Sequence, residues 1–375
     1  MGGVRERYGL RDGIAHTDGL LKTENMEKII EPVSKDLIKR ELTVQKRVRS
    51  TNKADNEIYV FTAHDSPCLM REVGRLREIA FRYYGGGTGL EADIDRYDTM
   101  AVPYRQLIVW DPEKEEILGG YRFITGSDIE LDENRKPMLA TAHLYNFSPR
   151  FLEDYLPYIV ELGRSFVSLE YQSTLAGRKG IFALDNLWDG LGALSVIDPN
   201  IKYYFGKVTM YGTYNKDARN MILYFLNKHF PDDQKLVTPI EALETGTDIQ
   251  KMEQLFHGKN FNENYRILKK EVHALGYNIP PLINAYMSLS PTMKFFGTAI
   301  NDEFGMVEES GILIEIEQIL EEKRARHIES YLKSNPSKRF LMNLRRMIAT
   351  NTQKRIIKLP KLRISLKRDD NDVTA

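Results

Sequence analysis

Cysteine is almost absent: the 375-residue chain has one, Cys68. A single thiol excludes an internal disulfide framework and fits a reducing compartment. Just ahead of a helical pattern, it reads as a small buried hydrophobe rather than a nucleophile. No run of 18 apolar residues occurs, so no segment reads as a transmembrane helix. Residues 1–23 also lack an apolar run and do not read as a secretory signal; glycine-rich and polar, they belong to an expected disordered tail over 1–25. The cluster Gly85-Gly86-Gly87-Thr88-Gly89 is not followed by Gly-Lys-Ser/Thr, and no strand immediately precedes it. That excludes the P-loop and dinucleotide templates and leaves a mobile connection, a candidate lid. The seven histidines are scattered, with no Ser-His or Cys-His pair and no metal-ligand cluster in view.

The composition is otherwise that of a soluble globular protein, 42% hydrophobic and 28% charged, with zero formal net charge. Residues 26–50 carry apolar residues at helical spacing, and an N-terminal helix is expected within 26–56. Strands are expected at 57–63, 104–110, 116–125, 158–171 and 201–211, and a closing hairpin at 292–300 and 310–317. Helices are expected at 69–84, 149–155, 181–196 and 216–229, and the stretch 236–290 reads as mostly helical. Asp65 or Ser66 suits the cap of the helix at 69–84, with Pro67 at its start and Gly85 at its end. Residues 126–148 read as a long polar connection. Only some of these connections are βαβ, so the fold class is α/β (α+β) with a mixed, largely antiparallel central sheet.

The segment Tyr158–Tyr171 is unusual. It is apolar, yet Glu161, Gly163 and Arg164 fall within four positions, residue types that strand interiors normally exclude. Glu161 and Arg164 would face opposite sides of a regular strand. A bulge at Gly163 would re-aim one of them and splay the strand from its neighbour. A splayed pair exposes backbone groups to which an extended, peptide-like ligand adds as a strand does. A pantetheine arm, with two amides and a terminal thiol, suits that opening. Its phosphate suits the loop 172–180, where a helix N-terminus and Arg178 or Lys179 offer N–H groups and charge.

Five short motifs in this order resemble a known group of enzymes. They are Arg77-x-x-x-Phe81, Asp95-x-x-Asp98, Gly120-Tyr121-Arg122, Glu161-x-x-Arg164 and Ile279-Pro280-Pro281-Leu282-x-x-x-Tyr286. The chain resembles GNAT-like acyltransferases over roughly residues 58–320. It looks most like the ornithine-lipid and glycine-lipid N-acyltransferases once labelled hemolysin-like, and more distantly the acyl-homoserine-lactone synthases. The resemblance implies a GNAT-like domain over 57–325, a splayed fourth and fifth strand pair, and a helical insert at about 236–290. It implies transfer of a long, in some cases 3-hydroxylated, acyl group from an acyl carrier protein thioester to the α-amine of glycine or ornithine. The Gln/Arg-x-x-Gly-x-Gly/Ala loop of acetyl-CoA-using relatives is missing, which favours the phosphopantetheine of acyl carrier protein over acyl-CoA as donor; no permanently bound cofactor is expected. For the chemistry, Glu161 is the candidate base or amine binder and Arg164 its catalytic companion. Asp95 and Asp98 suit an ammonium, and Arg77, Arg122 and Arg164 suit a carboxylate. Ser165 and Phe166, with Arg178 and Lys179, are placed along the phosphopantetheine. The same charges also suit a structural ion-pair network bracing a splayed sheet.

From Pro336 to Arg368 there are eleven Lys/Arg and no Asp/Glu. Phe340, Leu341, Leu344, Met347 and Ile348 share one helical face there, flanked by cations. Residues 326–375 thus read as a basic amphipathic tail, with 336–368 lying on an anionic membrane surface, peripheral at the inner face of the membrane in the cytoplasm. Docking on the protein's own core, an acidic acyl carrier protein and nucleic acid are the competing partners, with nucleic acid the least favoured. The competing functions are an acyl-homoserine-lactone-like signal synthase and a non-catalytic, membrane-associated lipid-binding module. Sequence leaves the oligomeric state open.

Overall fold

The computed structural model describes residues 26–172 and 177–335, with the side chains of 177–181 and 334 outside the description. The first helix, α1 (Lys35–Glu41), is shorter than the expected N-terminal helix. The chain after it turns into an edge strand, β1 (Arg47–Ser50), paired antiparallel to β2 (Glu57–Phe61). The alternation of Arg47, Val48 and Arg49 has a period of two, and that period wins over helical spacing once β2 offers a free edge.

α2 (Pro67–Tyr83) follows, with Pro67 at its first turn. Neither Asp65 nor Ser66 caps it. Its free Cys68 and Leu69 N–H groups instead donate to the Glu41 carboxylate at 3.2 and 2.7 Å, which ties α1 to α2. Next comes one short turn of helix, α3 (Arg96–Thr99), and then the hairpin β3 (Arg105–Asp111) and β4 (Glu116–Thr125). The connection after β4 is polar only in its first half. Leu139, Ala140, Ala142 and Leu144 are buried in a second core, and β5 (Tyr145–Phe147) later pairs with β8 (Val237–Pro239).

β6 (Ile159–Val167) lies beside β4, and α4 (Gly177–Ile197) crosses over to β7 (Tyr203–Met210). The helix α5 (Lys216–His229) follows, and α6 (Ile249–Leu255), α7 (Phe261–Ala274) and α8 (Pro281–Met287) lie in the stretch 236–290. The sheet closes with β9 (Lys294–Asn301) and β10 (Val307–Glu315), and α9 (Glu321–Arg324) and α10 (Ser330–Ser334) end the described chain. The basic tail at 336–368 lies outside the described residues. Among them, no helix is long and apolar enough to cross a membrane.

The eight-stranded sheet runs β1-β2-β3-β4-β6-β7-β10-β9. Every pairing is antiparallel except β6 with β7, so the expected mixed, largely antiparallel sheet is what the chain builds. The largest core packs α4, α5, α7 and α8 on one face of it.

The parallel ladder runs from Ile159↔Tyr203 to Leu162↔Gly206 and stops, although both strands continue. Gly206 is required at that last rung: a Cβ there would stand 2.6 Å from the Leu162 carbonyl oxygen. Gly163 is different. Its φ is not positive, and a Cβ would make ordinary contact with the Arg122 side chain at 3.7 Å. Gly206→Ala is therefore expected to cost about 1–3 kcal/mol and Gly163→Ala much less, a contrast that thermal unfolding of the two variants measures directly.

Candidate active site

The bulge falls one residue later than the glycine. β4 pairs Arg122 with Gly163 and Gly120 with Phe166, so β6 spends an extra residue at Arg164–Ser165. Arg164 itself takes the left-handed backbone, at φ +50°. A non-glycine residue there costs on the order of 1–3 kcal/mol unless its surroundings fix it. They do: Arg164 Nε meets Asp93 at 2.9 Å, Nη2 meets Asp95 at 3.5 Å, and the guanidinium lies 4.1 Å over the Phe304 ring. The bulge thus turns Arg164 toward the aspartates, just past Leu162, the last residue of β6 that pairs with β7.

Where that pairing ends lies a cavity of about 660 Å³, within the range of roughly 300–1,000 Å³ typical of small-molecule sites. Gly163–Val167 of β6 and Lys207–Tyr211, at the end of β7, form its two sides. Leu184, Leu187, Trp188 and Leu191 of α4 form an apolar wall, and Pro280, Pro281, Leu282 and Tyr286 at α8 close it. The sequence-expected Ser165 and Phe166 are both on this surface. Arg178 and Lys179 stand in the first turns of α4, their side chains outside the description.

The other expected residues gather behind Arg164. Asp95 and Asp98 form a capping box on α3: the Tyr97 N–H donates to Asp95 at 2.9 Å and the Asp95 N–H to Asp98 at 3.2 Å. Arg122 Nη1 bridges Asp95 at 2.6 Å and Asp98 at 3.1 Å. Arg77, fully buried on α2, pairs with Asp98 at 3.3 Å and donates to Gln106. Three arginines thus face three aspartates, Asp93, Asp95 and Asp98, and the cluster is balanced. Burial alone would raise the Asp95 carboxyl, but the Arg122, Arg164 and Arg77 guanidinium groups together outweigh it and hold Asp95 well below the usual range. Asp98 is lowered in the same way, burial being outweighed by Arg122 and Arg77. In Asp93 burial prevails over Arg164, and its carboxyl is raised.

Glu161 joins this group from the side and does not line the cavity. Its carboxylate accepts the Tyr104 hydroxyl and the Thr141 N–H, the latter at 3.0 Å, and it is 1% exposed. Burial raises its pKa, against the opposing hydrogen bonds. Tyr104 in turn accepts the Ala140 N–H at 2.9 Å and lies under Arg122. The glycine loop is fastened rather than free. The Thr88 N–H and hydroxyl and the Gly89 N–H all donate to the buried Glu78 carboxylate, at 3.1, 2.8 and 2.8 Å.

Two residues that the sequence reading passed over stand on the cavity wall. Lys207 Nζ pairs with Glu309 at 2.8 Å, with the two side chains 8% and 2% exposed. Thr209 donates to the same carboxylate at 3.3 Å and Asn301 at 3.4 Å. Burial lowers the Lys207 pKa, and Glu309 opposes that shift. A charge inside an apolar strand was the signal that drew notice to Glu161, and it applies equally to Lys207 in Tyr203–Met210; Glu309 lies just ahead of the strand expected at 310–317, in the polar start of β10.

A sheet splayed at a bulge beside an apolar-walled cavity is the frame of a GNAT-type acyltransferase, and residues 76–178 match the family model described as an acetyltransferase (GNAT) domain. The chain is 65% identical over 311 residues to a glycine N(alpha)-acyltransferase of Phocaeicola vulgatus, covering 83% of this chain and 95% of that protein. It is 62% identical to a glycine N(alpha)-acyltransferase of Bacteroides thetaiotaomicron, covering 83% of this chain and 92% of that one. The chain belongs to the glycine N(alpha)-acyltransferase family and is an acyltransferase. A solved CoA-dependent acyl-homoserine lactone synthase with SAM and isopentyl-CoA also aligns, at 10% identity and a TM-score of 0.31, over 74% of this chain and 89% of that one.

Removing one member of the ion cluster leaves a buried charge uncompensated. Arg122→Met is expected to cost about 3–5 kcal/mol in denaturant unfolding. Asp95 has its pKa depressed by folding, so its stabilisation is complete above its unfolded pKa of about 3.9 and is lost as pH falls below it. Melting temperature against pH should therefore fall less steeply on the acid side in Asp95→Asn than in the unsubstituted protein.

Proposed function

We propose that the protein transfers a long fatty acyl group from a pantetheine thioester to the α-amine of glycine. The cavity carries this reading: it opens at the splayed strands, where an extended arm can pair, and runs along the apolar wall of α4, which suits a hydrocarbon chain. The names of the two relatives supply glycine as acceptor, and ornithine recedes as an alternative. Acyl carrier protein is the donor we favour over acyl-CoA, because the regular pyrophosphate loop is missing from the sequence.

In the reaction the neutral amine attacks the thioester carbonyl, the C–N bond forms, the C–S bond breaks, and the thiol leaves with a proton. Positioning of two reactants in one cavity supplies most of the acceleration, on the order of 7–11 kcal/mol. Backbone N–H groups freed where the ladder widens at Arg164 and Ser165 suit the developing oxyanion. Arg164, on the cavity wall, suits the glycine carboxylate. Asp93 and Asp95 hold Arg164 in its strained conformation, Arg122, Asp98 and Arg77 brace Asp95 behind it, and Glu161 holds Tyr104 and the Thr141 loop against them.

The test is thiol release from long- and short-chain acyl thioesters, on acyl carrier protein and on CoA, with a panel of amino acids. Glycine-dependent release is expected. Binding of acyl donor with no turnover on any acceptor would leave a lipid-binding module instead. Leu187→Trp, which fills the apolar wall, is expected to depress long-chain turnover at least about tenfold more than short-chain turnover. We also propose that 336–368 carries the protein to anionic membranes. Deleting 336–375 is then expected to abolish co-sedimentation with phosphatidylserine vesicles, and unchanged sedimentation would refute that role.

A further inference from the structure

The aspartates read from the sequence as ammonium holders are already engaged. Asp95 accepts from Tyr97, Arg122 and Arg164; Asp98 accepts from Arg77, Gln106 and Arg122; Asp93 faces Arg164. Three guanidinium groups compensate them. Yet an amino acid binds as a zwitterion, and its ammonium must both find an anion and lose a proton before it can attack. Among the described residues that line the cavity, Glu309 is the single carboxylate, and Arg164 and Lys207 are the only lysine or arginine.

The backbone explains why Lys207 and Glu309 meet there. Val208 and Met210 point into the core under α4 and α5, so Lys207 and Thr209 point to the opposite face. Across the ladder, Thr209 pairs with Glu309 and Lys207 with Gly311. Lys207 and Glu309 are thus diagonal neighbours on one face, and the Tyr145 ring and Phe296 fill the space over Gly311, which a Cβ would enter at 3.1 and 3.2 Å. The pair is nine-tenths buried, and such a pair brings little net stability. Its place on the cavity wall, across the opening from Arg164, gives it a use.

We propose that the Lys207–Glu309 pair is the acceptor site: Glu309 receives the glycine ammonium and accepts its proton, and Lys207, together with Arg164, receives the glycine carboxylate. The zwitterion inserts between the two side chains and exchanges one ion pair for two. Glu309 takes one proton from the ammonium. The freed nitrogen lone pair forms the C–N bond, the C–S electrons leave on sulfur, and the second proton lost from nitrogen ends on the thiol. Glu309 returns its own proton to water, so the products are the N-acyl amino acid, the free thiol and one proton. Thr209 and Asn301 hold the Glu309 carboxylate toward the cavity. This assignment rests on the acyl-transfer reading above and says where the acceptor goes.

The experiment uses the full chain, with a thioester that the unsubstituted enzyme turns over, and compares glycine with glycinamide, which keeps the amine and lacks the carboxylate. Glu309→Gln is expected to raise KM for glycine roughly ten- to a hundredfold, with KM for the donor unchanged. Lys207→Met is expected to erase most of the preference for glycine over glycinamide. Either single change strands a buried charge, so the double variant Lys207→Met/Glu309→Met, which removes both charges and leaves only the neutral Thr209 and Asn301 donors to find new partners, keeps the result readable if a single variant does not fold. It should bind donor as before and fail to saturate with glycine. Wild-type glycine KM and preference in the folded double variant would overturn the assignment while the acyl-transfer function stands. Absence of glycine-dependent thiol release from the unsubstituted enzyme would instead remove the function on which the assignment depends.

Discussion

The contact between Arg164 and the aspartates Asp93 and Asp95 is the one on which the rest of the structure turns. A left-handed arginine in the middle of a strand is unfavourable by itself, and neighbouring backbone gives no reason for it. Paired, it fixes the extra residue of β6, and the extra residue is what lets β6 leave β7. The cavity therefore exists because an electrostatic cluster outside the sheet compensates a strained backbone inside it. Arg77 and Arg122 complete the compensation from α2 and β4, so three separate elements meet on the short turn at Arg96–Thr99.

That turn also explains why Asp95-x-x-Asp98 reads two ways. As sequence it is a pair of acids awaiting a cation. As structure it is a helix cap whose two carboxylates are consumed by backbone N–H groups and by arginines. Spacing of three is the signature of both, and only the arginines that arrive from elsewhere in the chain decide between them.

Much of the fold was legible. Strands β2, β3, β4, β6 and β7 and helices α2, α4 and α5 lie where alternation, helical spacing and turn residues put them, because each carries its own local signal. The splay was legible from the charges in β6. The bulge position was not: glycine marks where a backbone can bend, but the bend was set by the partners of Arg164. β1 was hidden because an edge strand this short has too little alternation to outvote its charges. Lys207 carried a signal as a charge in an expected strand, whereas Glu309 fell just outside the strand expected at 310–317; 102 positions separate them and only the register of β7 with β10 brings them together. The fastening of the glycine loop by Glu78 was hidden too: flexibility was inferred from glycine content, and the restraint is a carboxylate on the helix that leads into the loop.

The parallel pairing of β6 and β7 has one more implication. Two parallel neighbours need a crossover, and here the crossover is α4, which is also the apolar wall of the cavity. The opening in the sheet and the chamber behind it are thus two results of one connection. The charged cluster lies on the other face and shares no side chain with that wall. Chain length of the acyl group and chemistry of the acceptor can accordingly drift apart during evolution. On the acyl-transfer reading proposed above, substitutions along Leu184–Leu191 would resize the space for the acyl chain and leave the residues around Arg164 as they are.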